Sequence, residues 1–523
     1  MGRPTVVAHQ QSHSAIEDKV MTVQYRFIAP RLDDPRLLQD RRYSMLIDGR
    51  SVPAQSGETI NRESPAHPGH IVGAIPKGSR ADAEAAIAAA RNAFDNGPWP
   101  KMTGGERARV MRRVADLIEA NIEELATIEA LEVGKAINQA RGEMGFSATL
   151  WHYAAGHAHG LEGETHNDMG ANTLGLVLRE PAGVVGIITP WNFPLLIGSE
   201  RIPWAIGAGC TVVIKPSEFT SGSTIRLAEL AREAGLPDGV LNVVTGYGAD
   251  VGQIFAEHPD VDMVTFTGSQ RVGRIIGAIA GQNIKRVGLE LGGKGPQVVF
   301  ADADLDAAAA KISGGAFHCS GQVCIAGSRL IVHESVADKL LEKVEALAAR
   351  IVTGDPLDDS STVGALIHKA HLEKVSGYVA AGKADGAQIY SGGTILGEGG
   401  AFYAPTIFTG VKPDMSIARE EIFGPVLASF RFRDPEEAIR LANDTPFGLS
   451  ACVWSNNLST ALQAIRRIKA GRTWINGMGD GTPQMPIGGY KQSGIGRELG
   501  RHGFDEYSEL KNVHITLADS LAQ

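Results

Sequence analysis

The chain is short of cysteine, short of aromatics and free of long apolar runs. Its four cysteines in 523 residues, Cys210, Cys319, Cys324 and Cys452, are too few for a disulfide framework, and no C-x-x-C pair is among them. Metal-binding spacing is lacking as well. Cys319 and Cys324 flank a short loop beside His318, but no second ligand pair accompanies them, so no metal site is expected. No apolar run approaches the roughly 18–20 residues of a membrane span. The first residues carry neither the apolar centre nor the cleavage signature of a signal peptide, and Met1-Gly2 is followed by Val6 where a myristoylation signal needs Ser or Thr. Positive charge is in deficit: 50 Lys and Arg stand against 59 Asp and Glu, a net charge of −9. No basic stripe stands out, which argues against a nucleic-acid partner. What remains is a mildly acidic, soluble enzyme, with no membrane partner and an expected place in a reducing cytoplasm.

The length suggests more than one core. After about 40 residues that read as a loosely held N-terminal extension, helical patterns cover 80–97 and 105–135. Short apolar strands then alternate with helices. Strands are expected at 184–190, 211–218, 241–246 and 262–269, with helices at 195–209, 221–235 and 271–281. A second set starts near 297 and includes a strand at 328–335, a helix at 336–351 and strands at 452–456 and 473–478. The pattern predicts an α/β protein with two parallel-sheet lobes joined near 290–295.

Five segments carry groups suited to chemistry. In SGQVCIAGSR (320–329), Cys324 lies among small residues that leave room around its sulfur. A packed thiol is the plain alternative; a nucleophile needs a lowered pKa or a base. In GLELGGKGP (288–296), Glu290 sits between leucines, where burial raises a carboxyl pKa into the range of a general base; a surface Glu is the alternative. TPWNFP (189–194) ends the first strand and presents Asn192, whose amide suits an oxyanion, or which simply makes a turn. FTGSQRVG (266–273) is a glycine turn entering a helix, a weak phosphate signal. IKPSE (214–218) puts Lys215 and Glu218 at another strand end, fit for a ribose, with Glu218 opposing a 2′-phosphate.

Taken together, PWNFP, KPSE, FTGS, LELGGK, GQVC, EEIFGPV (420–426), WIN (474–476) and GGYKQSGIGRELG (488–500) resemble the aldehyde dehydrogenase superfamily from about residue 43 onward. The resemblance implies two Rossmann-like lobes, one for coenzyme and one catalytic, plus a small β oligomerisation arm. Its boundaries would be 43–157 and 181–292 for the coenzyme-binding domain and 293–492 for the catalytic domain. The arm and C-terminal strand would be 158–180 and 505–523, and 1–42 the extension.

It implies Cys324 as nucleophile, Glu290 as base, Asn192 in the oxyanion hole and Lys294 in support. NAD would be held at the first strand end by Ile188, Thr189, Pro190 and Trp191, and by Lys215, Ser217 and Glu218 at the next. Gly248, then Phe266, Thr267, Gly268, Ser269, Val272 and Gly273, and finally Leu291, Glu421 and Phe423 would complete the set. NADP is disfavoured by Glu218. The substrate tunnel would be lined by Phe193, Glu200, His318, Val323, Ile325 and Ile487. Many relatives have Trp at the place of Glu200 and aromatics at those of His318 and Ile487. That departure disfavours an aromatic box for a quaternary ammonium and favours a polar, amino- or hydroxy-bearing aldehyde, unless Glu200 merely pairs with Arg201 or another base and never meets substrate. The rival readings are a coenzyme A-acylating semialdehyde dehydrogenase, a thiol esterase and a non-catalytic binding protein on the same fold. The expected assembly is a homodimer or homotetramer through HGLEGETHND (159–168) and NVHITLA (512–518).

Overall fold

The computed structural model describes residues 25–479 and 481–518. Five parallel strands form the centre of the first sheet: Val184–Ile188, Thr211–Lys215, Leu241–Val243, Met263–Thr267 and Arg286–Glu290. Numbered one to five along the chain, they lie side by side in the order five, four, one, two, three. The order reverses between Val184–Ile188 and Met263–Thr267, and the crevice beyond their carboxyl ends is where open sheets of this kind take a ligand. Every residue of Val184–Ile188 and of Thr211–Lys215 is buried, as expected for strands covered on both faces. Antiparallel strands close the edges: Gly494–Ile495 beside Arg286–Glu290, and Met45–Ile47 with Arg50–Val52 beyond Leu241–Val243.

The second sheet places six parallel strands in the order Thr406–Thr409, Val426–Phe432, Arg329–His333, Pro296–Val299, Ser450–Trp454 and Arg472–Ile475. Gln388–Ser391 is antiparallel at one edge. The chain passes from the first sheet to the second through residues 291–295. A third, three-stranded sheet runs through Glu164–His166, Thr173–Pro181 and Ser508–Thr516. The outer Ser508–Thr516 strand is mostly exposed. Among the described residues no helix is long and apolar enough to cross a membrane.

Several elements differ from the sequence expectation. The helical run 105–135 is two helices, Gly104–Ala120 and Ile122–Val133. They break at Asn121, whose side-chain amide donates to the Leu117 carbonyl at 2.7 Å and so competes with the helix ladder. Gly104–Ala120 starts on a capping box in which Thr103 and Glu106 satisfy each other's backbone N–H groups. The run 195–209 also divides, into Pro194–Ser199 and Ile202–Ala208 around Glu200 and Arg201. The N-terminal extension is not free along its described length. Arg26–Ile28 pairs in parallel with Val352–Gly354, the Arg31 N–H donates to Asp355 at 2.7 Å, and Leu37 is buried. Residues 1–24 lie outside the described part.

Candidate active site

The loop bearing Cys324 is built by backbone conformation. Helix Leu305–Phe317 ends, and Cys319, Ser320 and Gly321 then take left-handed φ values of 48°, 55° and 71°. For the two non-glycine residues this costs about 1–2 kcal/mol each, so their surroundings must hold them. The Ser320 hydroxyl donates to the Gly364 carbonyl at 2.7 Å. The Gln322 amide donates to the Cys319 carbonyl at 3.1 Å and accepts from the Ile367 N–H at 2.9 Å. At Gly321 a β-carbon would lie 2.1 Å from the Gly424 carbonyl oxygen, so only glycine fits. Of the four cysteines, Cys324 alone is half-buried; the other three are sealed in the core.

Two strand ends of the first lobe converge on this loop. Asn192 is buried, and its amide nitrogen donates to the Gln322 carbonyl at 2.9 Å. Glu290 ends its strand opposite Thr267. It is buried, and Oε1 has no hydrogen-bond partner among the described residues. Burial, then the Glu498 and Glu200 carboxylates, raise its pKa well above the usual carboxylate range against the pull of Arg201. The following glycines permit close approach: a β-carbon on Gly293 would meet the Cys324 carbonyl oxygen at 2.4 Å. Lys294 is buried, and burial together with Arg329 brings its pKa down to about 7. Glu421 accepts from the Gly293 N–H at 2.9 Å, and burial pushes its pKa up to about 7. Phe423 has a left-handed φ of 58°. Its ring meets Trp191 edge-on, centroids 5.4 Å apart, and its carbonyl accepts from His371 Nε2 at 2.7 Å.

Cys324 lies on the wall of two cavities. The smaller, about 260 Å³, is lined from the crevice side by Pro190, Trp191, Asn192, Thr267, Gly268, Ser269, Leu291, Glu421 and Phe423. The larger, about 680 Å³, carries Glu290 and all six residues expected for a tunnel: Phe193, Glu200, His318, Val323, Ile325 and Ile487. Thr267 and Leu291 border both.

The remaining expected cofactor residues do not line the smaller cavity. Lys215 is buried at its strand end, its ammonium donating to the Pro216 carbonyl at 2.5 Å and lying 3.5 Å from Glu218. Ser217 lies between them and accepts from the Phe219 N–H at 3.3 Å. Ile188 and Lys215 flank Gly252, in the helical turn that Gly248 opens. Phe266 packs against Gly268, and Gly273 against Leu291, where β-carbons would come within 2.6 and 2.5 Å. Ser269 caps its helix by accepting from the Val272 N–H.

Five charged residues on the larger cavity's wall were not anticipated as site residues: Glu143, Arg201, Lys311, Arg472 and Glu498. Arg201 and Arg472 both act on the Glu200 carboxylate through space, but the close ion pair of Arg201 is with another residue. The Arg201 guanidinium meets Glu498 at 3.2 Å and the Thr265 hydroxyl at 3.1 Å. Arg472 lies over the Trp474 ring, 5.1 Å from its centroid.

Burial, then the carboxylates of Glu421, Glu200 and Glu290, push the Cys324 thiol up to about 12, with Arg472 pulling the other way. The thiol is therefore protonated at neutral pH, and only the thiolate reacts with alkylating agents. Without coenzyme, alkylation of Cys324 by iodoacetamide, followed by peptide mass spectrometry, is expected to rise about tenfold per pH unit from about pH 7 to about pH 10. A plateau below about pH 8 would contradict this environment.

Two lobes of parallel sheet, with a half-buried thiol on the wall of both cavities, are the layout of an α/β enzyme that works at the ends of its strands. The model of the aldehyde dehydrogenase family matches residues 52–513. The crystal structure of an NAD-dependent aldehyde dehydrogenase from Sinorhizobium meliloti is 64% identical, covers 94% of this chain and 98% of that one, and superposes with a TM-score of 0.94. A betaine aldehyde dehydrogenase from Staphylococcus aureus, solved in complex with NAD+, is 37% identical with a TM-score of 0.88, covering 92% of this chain and 96% of that one. Aldehyde dehydrogenase family 2 member C4 of Arabidopsis thaliana is 43% identical over 478 residues, 91% of this chain and 95% of that protein. The chain belongs to the aldehyde dehydrogenase family. It is an aldehyde-oxidising oxidoreductase.

Proposed function

We propose that the chain oxidises a polar aldehyde to its carboxylic acid with NAD, through a covalent intermediate on Cys324 that water releases. The observation carrying this is the position of Cys324 on the wall of both cavities, so that one sulfur can meet an aldehyde from one side and a dinucleotide from the other.

The smaller cavity suits the nicotinamide end of NAD. The Thr267 hydroxyl on its wall is buried and has no partner among the described residues. Glu421 packs closely over Gly292, where a β-carbon would fall 2.1 Å from its Oε2. Glu421 would hold a ribose there, and Lys215 with Glu218 the other ribose, Glu218 repelling a 2′-phosphate. NAD supplies the acceptor for the hydride that leaves the aldehyde carbon.

The residues of the chain do the rest. Cys324 gives its proton to water, and the thiolate attacks the carbonyl carbon, giving a thiohemiacetal oxyanion. One Asn192 N–H holds the Gln322 carbonyl. That bond orients the second N–H, which with the Cys324 backbone N–H would face the oxyanion; loss of one such donor costs about 10²–10³ in rate. After oxidation the carbon is a thioester on Cys324. Glu290 takes a proton from water, the hydroxide adds, and the acid leaves with the sulfur regenerated. A buried base favours hydrolysis over transfer to coenzyme A. The dinucleotide groove counts against a simple esterase or binding role. The exposed strand Ser508–Thr516 supports association into dimers or tetramers.

Glu200 supports a polar substrate, because it lines the larger cavity while the adjacent guanidinium is engaged by Glu498. Reduced dinucleotide formed from amino-, hydroxy- and unsubstituted aldehydes of equal length is the test. Glu200→Ala is expected to lower kcat/KM for the amino- and hydroxyaldehydes by about five- to tenfold relative to the unsubstituted one. An unchanged ranking would remove Glu200 from substrate recognition, and no reduced dinucleotide from any aldehyde would end the functional reading.

A further inference from the structure

His318 is not needed for the oxidation, yet its hydrogen bonds fix its chemistry. It closes helix Leu305–Phe317 and lines the larger cavity. Its ring is stacked on that of Phe193, with planes 12° apart and centroids 6.3 Å apart. The Lys135 ammonium lies over the same Phe193 ring, 4.4 Å from its centroid. Lys135 is fully buried and tied to Glu129 at 3.1 Å and to Glu143. Lysine, phenylalanine and histidine thus form one stack, with the imidazole at its exposed end on the cavity wall.

The tautomer follows from Gln139. Its side-chain nitrogen is 2.9 Å from the Thr362 carbonyl and 3.2 Å from His318 Nδ1. A carbonyl only accepts, so the nitrogen end of the amide must face this way. The same NH₂ group then donates to Nδ1, which must be unprotonated. Burial first, and then the charge of Lys135, push the His318 pKa down to about 4. The ring is neutral at neutral pH, and its one proton is on Nε2. Among the described residues no acceptor meets Nε2. The cavity wall as a whole is mostly apolar, with Phe146, Leu196, Ile197 and Met478 among its members beside the charged Glu143, Glu200 and Lys311.

We propose that the Nε2–H of His318 is a specificity-determining donor to a substrate oxygen, and that the substrate is a hydroxylated aldehyde. This rests on the aldehyde oxidation argued above and narrows its substrate class. A cationic group gains nothing from an N–H donor. A hydroxyl gains a bond that its deoxy counterpart cannot make, and the deoxy compound leaves the donor without an acceptor.

The test compares glyceraldehyde with propanal as substrates of the full-length enzyme with NAD. The quantity read is the ratio of their kcat/KM values. In the wild type the ratio favours glyceraldehyde and stays level between about pH 6 and about pH 8, because the imidazole does not charge there. His318→Phe keeps a flat ring in the stack but removes the donor, and lowers the ratio about tenfold. His318→Gln, which retains an N–H, recovers most of it. Gln139→Leu, which frees the tautomer without touching substrate, lowers it by a smaller factor and serves if His318→Phe fails to fold. A ratio unchanged in both His318→Phe and Gln139→Leu would overturn the proposal. Absence of reduced dinucleotide from both glyceraldehyde and propanal in the wild type would instead overturn the aldehyde oxidation beneath it.

Discussion

With serine at position 324, aldehyde oxidation is expected to fall by at least about three orders of magnitude, about 4 kcal/mol of transition-state stabilisation, while dinucleotide binding persists. The loop that carries the residue is held by Ser320, Gly321 and Gln322 and does not depend on the sulfur for its shape. Cys324→Ser therefore changes the chemistry and leaves the architecture. A serine hydroxyl is far less acidic than even a thiol pushed up to about 12, and no arrangement here depresses it. The surrounding carboxylates of Glu421, Glu200 and Glu290 oppose a second anion at this place. Steady-state turnover, with dinucleotide binding followed by fluorescence, measures both halves. Turnover at the wild-type level would mean that the thiol is not the nucleophile and that its place on two cavities is incidental. Loss of binding together with turnover would mean instead that the loop had collapsed, which its hydrogen bonds argue against.

The residues that could be read from the sequence share one property: their local neighbourhood is unusual. Gly292 and Gly293 after Glu290, Gly321 before Cys324, and the prolines around Asn192 are visible as breaks in the strand and helix patterns. The structure adds what the glycines approach, namely Glu421, the Cys324 carbonyl and the Gly424 carbonyl. None of these lies in the same segment, so the sequence shows that a tight approach is needed but not to what. The sequence-distant pairs were hidden for the same reason. Arg201 stands next to Glu200, and adjacency suggested a pair. The break between the helices Pro194–Ser199 and Ile202–Ala208 turns the guanidinium instead to Glu498, almost 300 positions later. Arg472 has no local signal at all: it is one arginine on a short edge strand, and only the packing of that strand brings it to the cavity. The short strand Arg26–Ile28 was obscured because its partner, Val352–Gly354, belongs to the far lobe. Parallel-sheet architecture was legible throughout, since continuous apolar runs between helices reflect burial on both faces, which is local information.

Replacing Glu290 by glutamine is expected to separate the two halves of the reaction. The substitution is nearly isosteric, and Glu290 Oε1 has no partner among the described residues to lose. What disappears is the capacity to take a proton from water. Steady-state turnover should fall by about 10²–10⁴, with oxidation itself less affected. Mixing Glu290→Gln with aldehyde and NAD should then give a rapid burst of reduced dinucleotide, about one per active site, followed by a slow phase. The enzyme trapped in that phase should carry an acyl group on Cys324, seen by mass spectrometry and removed by hydroxylamine. The pH dependence follows from the same carboxyl. Its pKa is held well above the usual range by burial and by Glu498 and Glu200. A raised pKa keeps the group protonated, and useless as a base, at low pH. Deacylation in the wild type should accordingly rise with pH until that pKa is passed, and Glu290→Gln should erase the rise. Slow turnover without a burst would place Glu290 before the thioester, as the base for the thiol. Rapid release of the acyl group to added coenzyme A in the wild type, faster than to water, would move the chain to the acylating branch. In that case the buried carboxyl opposite Thr267 would have to serve the incoming thiol, whose proton is the easier to remove, and the variant would lose that transfer too.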